Sequence, residues 1–378
     1  MRQCNVEQGL IPKAGHRRRK RGVWLWLAAA LVGCFLVRAF FLDVAEVRSP
    51  SMAPCLGSDP DGEPDCVLVL RAGLLQNHWS RYDLVTFPDP NSDPTQPAES
   101  VKRLAGLPGE SVALREGDLY VDGKMEHKPH ALFDRLLVPI AELRPDAAGG
   151  SGFLWIGSQG ELGPTGLLLN AAAEPAVLRY NATVTDGYRD EHGQFHDGSS
   201  PPIAVNDLRF DVVLEPMDER AEVELVLRDE GSLFRAHLGS GGAHVFLDDR
   251  EFQAPMSWNR GRACHVDFYN IDDQVGLWVD GRELLRQTPQ VIRVAGEARN
   301  APELAVLAGR VLVRRARISR DLYWIGSASL KLHADQFFVL GDNSSASIDS
   351  RQFGAVARGA LRGRPVCIYS PFRRRRLL

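Results

Sequence analysis

From Gly22 to Leu42 the chain reads GVWLWLAAALVGCFLVRAFFL, with Arg38 as its only charge. About 20 apolar residues suffice to cross a bilayer as a helix, so this run predicts a transmembrane span that divides the chain into a short arm and a long one. Arg2, Lys13, Arg17, Arg18, Arg19, Lys20 and Arg21 precede it, opposed only by Glu7. Basic flanks stay on the cytoplasmic side, so residues 1–21 are expected to be a cytoplasmic tail and everything after Leu42 to lie across the membrane. Trp24 and Trp26 suit the near interface, and Arg38 is close enough to the far end to snorkel to the headgroups. A cleavable signal peptide is the competing reading. The run is long for one, and Asp43-Val44-Ala45-Glu46 lacks a small-x-small site, so an uncleaved anchor is expected.

Six residues beyond the span stands Arg48-Ser49-Pro50-Ser51-Met52-Ala53-Pro54. The two prolines fix their own φ and push Ser49 and Ala53 towards extended backbone, so Ser51 sits on a stiffened segment. A serine nucleophile needs a base for its proton and donors for the oxyanion that follows. A plain Ser/Pro turn at the foot of an anchor is the bland alternative, and these seven residues leave it open.

The next informative run is Ser100–Leu107, SVKRLAGL, followed by Pro-Gly-Glu. On a strand, Lys102 shares a face with Leu104, while Val101, Arg103 and Ala105 point the other way. An ordinary lysine titrates near 10.4 and is charged at neutral pH; burial on an apolar face lowers that value. A lysine so tuned can deprotonate a serine without histidine, whereas a strand-edge lysine with its head in water cannot. The chain has 6 lysines against 39 arginines, and of the four beyond the anchor (Lys102, Lys124, Lys128, Lys331) only Lys102 lies in a clear apolar β-run. That narrows the choice of base without fixing it.

Near the C-terminus the apolar strand Gln336–Leu340 runs into GDNSSASIDSR, residues 341–351. Asp349 and Arg351, two apart on an extended segment, face one side and can pair, holding Ser347 in position.

In these four stretches the chain resembles the type I signal peptidases, membrane-bound Ser-Lys proteases that release secreted proteins from their leaders. Ser49–Pro54 looks like the family's nucleophile box, and Tyr82–Phe87 (YDLVTF) like its next strand box, with Tyr82 where glycine is usual. Val101–Glu110 (VKRLAGLPGE) is similar to the lysine box. Phe338–Asn343 with Asp349-Ser350-Arg351 and Phe353-Gly354 resembles the last box, with Ser344-Ser345 for the usual Arg-Asp and Phe353 for a common Trp. The resemblance implies Ser51 as nucleophile and Lys102 as general base. It implies the Ser49 hydroxyl and the Ser51 backbone N–H as oxyanion donors, and Ser347 orienting the Lys102 amine with Asp349 and Arg351 in support. Met52 would pack beneath the pocket for the substrate's small side chain.

Between Gly149 and about Ser319 there is no lysine, and short β-runs recur, among them LRFDVVL, VELVL, LFRAHL, HVFL, HVDFY, VGLWV and RVLVRRARI. Regularly spaced strands with turn signals predict an antiparallel sandwich, and His265–Leu285 is similar to the late strands of laminin-G or concanavalin-like sandwiches. Asp248-Asp249 and Asp272-Asp273 lack the ligand count and loop pattern of a calcium site. Cys55 and Cys66 flank a Pro/Gly/Asp-rich loop and are candidates for a disulfide outside the cytoplasm.

The expected fold is mainly β: a signal-peptidase-type antiparallel core carrying an N-terminal transmembrane helix and an inserted sandwich. The expected boundaries are tail 1–21, anchor 22–42, core 43–150, insertion 151–319 and core 320–378. The expected function is a cytoplasmic-membrane endopeptidase that faces the extracytoplasmic side and cuts exported preproteins after a small residue. Its partners are those preproteins and the lipid bilayer. No cofactor or metal is expected. The basic runs His16–Arg21 and Arg373–Arg376 lack interleaved aromatics in a folded element, so no nucleic-acid partner is expected. The rival is a membrane-tethered binding protein whose sandwich does the work and whose peptidase core is vestigial.

Overall fold

The computed structural model describes most of residues 41–378, apart from 58–61, 75–77, 94, 97, 144–152, 157–159, 191–192, 230 and 290–299. Before residue 41 it describes only Trp26, Val32, Gly33, Arg38 and Phe40. Among the described residues no helix is long and apolar enough to cross a membrane; the tail and nearly all of the span expected at 22–42 lie outside them. The last residue of that span, Leu42, instead opens a strand, Leu42–Val47, paired with Leu70 of Asp65–Arg71.

The chain is mainly β, and its ladders are antiparallel. The sheet that carries the candidate site runs Leu42–Val47, Asp65–Arg71, Gly363–Ser370, Leu84–Pro88, Glu99–Gly106, Gln336–Leu340, Val356–Ala357. Its strands follow from β-branched alternation: in DCVLVLR, residues 65–71, every second side chain is buried. The lysine strand departs from that rule, because Val101 through Gly106 are all buried. It is central in the sheet and covered on both faces, which explains how Lys102 and Arg103, on opposite faces, are both out of water.

A small sheet of Ala328–Lys331, Ser111–Arg115, Asp118–Val121 and Lys124–Met125 adjoins it. The Asp122-Gly123 turn predicted there has φ of 49° and 82°, the left-handed pair of a tight hairpin.

Apart from the two-stranded pair Tyr188–Arg189 with Phe195–His196 and the short strand Arg376–Leu377 on Gly363–Ser370, the remaining strands form one large sheet organised on the 18-residue strand Glu303–Arg320. The first part of that strand pairs with Ala176–Tyr180 and Glu222–Asp229; the rest pairs with Gly166–Ala171, Leu208–Pro216 and Val138–Leu143. The seven β-runs read from sequence in this region all fall within strands. The large sheet takes its first strand from Val138–Leu143, ahead of the insertion start expected at residue 151. That strand has no sequence boundary to mark it, because the change in composition comes only after it.

The core cluster of the large sheet is continuous with the peptidase-like part: Leu208, Val266 and Val306 belong to the same buried set as Tyr82, Leu119, Trp324 and Phe338. The inserted strands are therefore packed onto the core and not merely tethered to it. Asp248-Asp249 and Asp272-Asp273 are hairpin turns between strands, with Asp248, Asp272 and Asp273 at φ of 51°, 50° and 55°, a backbone state that aspartate tolerates.

Candidate active site

Pro50 starts a single 3-10 turn, Pro50–Met52, capped by Ser49. The turn points the Ser51 side chain at the lysine strand. Lys102 Nζ lies 2.7 Å from Ser51 Oγ, and both residues are buried, at 3% and 6% exposure. Burial lowers the pKa of the Lys102 amine below the ordinary lysine value; Asp349 pulls the other way without reversing it. A neutral amine at this distance can accept the serine proton.

Ser49 Oγ donates to Ser51 Oγ at 2.9 Å, and the Ser51 N–H points at Ser49 Oγ at 3.3 Å. The two donors expected to hold an oxyanion are thus adjacent, each engaged with the other serine rather than with a shared acceptor. Met52 has no exposed surface and packs with Val47, Leu56, Val69 and Leu84.

The loop after Gln336–Leu340 differs in detail from its sequence reading. Asp349 and Arg351 do pair, with Arg351 Nη2 2.8 Å from Asp349 Oδ2, but not across an extended segment. Asp349 is the N-cap of the short helix Ser350–Phe353, in a capping box with Gln352. The Ser347 hydroxyl donates to Asp349 Oδ2 at 2.8 Å; among the described hydrogen bonds Ser347 makes none to Lys102. The buried carboxylate Asp349 stands in the loop where the Lys102 amine was expected to be held by Ser347 directly. Ser344, one of the departures from the family pattern, is engaged: its Oγ accepts from Arg351 Nη1 at 2.5 Å and from the Ile325 N–H at 2.7 Å. Phe353, in place of tryptophan, meets Phe87 edge-on with ring centroids 6.2 Å apart.

Several residues that position the site received no role from sequence. The Ser51 carbonyl accepts from the Asn343 N–H at 3.0 Å, and the Asn343 amide donates to the Pro50 carbonyl at 3.1 Å. Arg103, on the far face from Lys102, forms a buried two-point pair with Asp342 and donates to the Tyr82 carbonyl. Asp65 accepts from the Gly57 N–H and pairs with Arg374, the latter at 2.7 Å. The C-terminal arginine run is thus structural at this point: Arg374 is buried, and Arg376 reaches the Cys55 carbonyl at 2.5 Å. An aspartate opening an apolar strand is the one sequence signal that could have suggested the Asp65 pairing. Cys55 and Cys66 are free thiols, so the disulfide does not form; burial raises the pKa of the Cys55 thiol.

Tyr82 occupies a left-handed backbone position, φ 70°. Glycine adopts that state without strain, which gives the physical sense of a glycine at this place in relatives.

The site is thus a serine hydroxyl on a buried lysine amine, held by a capped carboxylate loop on an antiparallel sheet. Comparison with known proteins agrees with that class. The model of the signal peptidase family, peptidase S26, matches residues 19–134 and 289–370, more than half of the chain, with Ser49, Ser51, Lys102, Ser347, Asp349 and Arg351 all inside the match, and the chain belongs to this family. It is 30% identical over 115 residues to signal peptidase I of Bacillus licheniformis, covering 30% of this chain and 57% of that one. It is also 30% identical over 104 residues to signal peptidase IB of Staphylococcus aureus strain Mu50, covering 28% and 49%. The chain therefore spans about half the length of the curated relatives it matches.

Among solved structures, a carbohydrate-binding module from Bacillus subtilis aligns over 45% of this chain and 97% of its own, at 10% identity and a TM-score of 0.32. A Bacillus licheniformis β-glucanase aligns over 48% and 98%, at 8% identity and a TM-score of 0.36. Likenesses of that size carry no argument about this chain.

Replacing Arg374 by Ala leaves Asp65 buried without its partner. Breaking one side of a buried pair costs about 3 kcal/mol, so Arg374→Ala is expected to lower the urea midpoint markedly. Phe372→Ala, at a side chain 77% exposed, is expected to change stability by less than about 0.5 kcal/mol.

Proposed function

We propose that the chain is an endopeptidase that removes leader peptides from exported preproteins, with Ser51 as nucleophile and Lys102 as general base. The observation that carries this reading is the 2.7 Å contact between Lys102 Nζ and Ser51 Oγ inside a buried site. Membership of the signal peptidase family supports the substrate class.

In this mechanism the neutral Lys102 amine takes the Ser51 proton as Ser51 Oγ attacks the carbonyl carbon after a small residue of an extended leader. The tetrahedral oxyanion accepts from the Ser51 N–H and from the Ser49 hydroxyl, which turns from Ser51 Oγ to the new oxygen. Lys102 then passes its proton to the leaving amine, and the C–N bond breaks to leave an acyl ester on Ser51. Water, deprotonated by the same amine, attacks that ester and frees the enzyme.

Asp349 and Arg351 hold the loop beside the amine, and Ser347 acts through Asp349. Met52, packed without exposure, forms the floor under the small side chain of the substrate. Leu42–Val47 is a terminal strand of its sheet and leads directly to Ser49, which supports strand addition as the mode of peptide binding.

The apolar run 22–42 and its basic flank support a single-pass protein with its catalytic part on the extracytoplasmic side. The vestigial-core rival is not favoured, because every group the reaction needs is retained and the central two are in contact.

Ser51→Ala and Lys102→Ala are each expected to lower kcat/KM on a model preprotein in detergent by more than about 1000-fold, with circular dichroism unchanged. Full cleavage by Lys102→Ala would remove the base assignment. Because only the neutral amine works, activity is expected to fall as pH drops through the lowered pKa of Lys102. The acid limb of kcat/KM should have its midpoint below the ordinary lysine value of about 10.4. A limb centred at or above that value would contradict the assignment.

A further inference from the structure

Three carboxylates distant in sequence meet where the inserted strands join the core. Asp118 opens the strand Asp118–Val121 of the small sheet. Asp207 immediately precedes Leu208–Pro216, and Asp272 sits in the turn after Cys264–Ile271. One oxygen from each lies within 4.8 Å of the others.

The cation nearest to hand is Lys128, whose Nζ is 2.6 Å from both Asp272 Oδ1 and Asp321 Oδ2. One ammonium shared by Asp272 and Asp321 leaves Asp118 and Asp207 without a cation of their own among the described residues, although Asp207 Oδ2 accepts from the Asp272 N–H at 3.0 Å, in a site where Asp272, Asp321 and Lys128 are all buried. Carboxylates brought together out of water are relieved either by taking up protons or by a further cation.

Two further buried oxygens, both on residues beside Lys128, lack partners. Asp321 Oδ1, on a residue 2% exposed, has no hydrogen-bond partner, and its main charged neighbours are Lys128 and Asp272. The Tyr82 hydroxyl, on a residue 4% exposed, likewise has no partner, and the charges that act on it are those of Lys128, Asp272, Glu126 and Asp321. Unpartnered oxygens at this depth are rare in folded proteins.

We infer that Asp118, Asp207 and Asp272 bind one hard divalent cation of calcium's kind, with Asp321 completing the oxygen set. The donors are all oxygens, with no thiolate or imidazole, which selects calcium, magnesium or manganese over zinc or copper. Oxygens bound to one calcium at about 2.3–2.6 Å lie at most about 5 Å apart, a limit the three carboxylates satisfy. Their positions on separate parts of the chain make the ion a clamp: Asp118 belongs to the small sheet of the core, whereas Asp207 and Asp272 belong to the inserted strands. The ammonium of Lys128 would remain on the Asp321 and Asp272 oxygens that face it.

The test is calorimetric titration of calcium chloride into the full chain in detergent after chelator treatment. The expected result is one ion per chain with a dissociation constant of about 1 mM or tighter, as in other calcium modules outside the cytoplasm. At calcium about a hundredfold above that constant, the thermal unfolding midpoint should rise by roughly 5 °C. Asp118→Asn, at the least central of the ligands, should weaken binding more than tenfold. Asp248→Asn, at an exposed hairpin turn outside the cluster, should leave it unchanged. Absence of calcium binding to the wild-type chain, or an Asp118→Asn chain that binds as tightly, would overturn the inference. Binding is read without any cleavage assay, so failure of the peptidase reading would leave this result intact.

Discussion

An ammonium group removed from water becomes easier to deprotonate, and the arrangement around Lys102 is organised to keep it dry. The lysine strand lies inside its sheet, flanked in register by Leu84–Pro88 on one side and Gln336–Leu340 on the other. Leu84, Val85, Leu104 and Val339 are each no more than 2% exposed. A lysine at a sheet edge would hold its proton and leave Ser51 an ordinary hydroxyl. Asp349, the carboxylate acting most strongly on this amine, is itself occupied by Arg351, Ser347 and the Gly341 N–H. Its negative charge is thereby spread over five donors, the Arg351 backbone N–H included, which weakens its hold on the Lys102 proton while the loop stays fixed.

The other half of the problem is to hold Ser51 against that amine. The segment 50–57 contains one 3-10 turn and no long element, so it is held by contacts from elsewhere. Asn343 ties both the Pro50 and the Ser51 carbonyls to the last loop. Asp65 and Arg374 fix the Gly57 end, and Arg376 reaches the carbonyl of Cys55. Arg103 and Asp342 join the lysine strand to that same loop from behind. The Ser51–Lys102 distance therefore depends on pairs separated by up to 321 residues, brought together only when both ends of the chain fold into one sheet.

Much of this was legible in the sequence, and the parts that were not share a cause. Local pattern gave the strands, because β-branched alternation and Asp-Gly turns act over a few residues. Ser51 and Lys102 are singled out by the resemblance of four stretches, in order, to the signal peptidase boxes; alone, the Ser/Pro turn stays open and the lysine count only narrows the choice of base. The pairs Asp65–Arg374 and Arg103–Asp342 and the meeting of Asp118, Asp207 and Asp272 are long-range, and no local pattern encodes them. The strand Val138–Leu143 was missed for a related reason: its partner, Glu303–Arg320, lies more than 150 residues away. The Asp349–Arg351 pair was anticipated with the wrong backbone, since an i, i+2 spacing fits a strand as well as a helix cap. Asp272-Asp273 on its own lacks the ligand pattern of a calcium loop; the carboxylates that meet Asp272 come from distant parts of the chain.

The protonation state of one amine decides the account. Nitrogen-15 NMR of the full chain with labelled lysine, in detergent and with the Lys102 signal assigned by its loss in Lys102→Ala, reports that state directly across pH. The expected result is an amine that titrates below the ordinary lysine value of about 10.4. A Lys102 signal that stays protonated up to that value or beyond it would contradict the account.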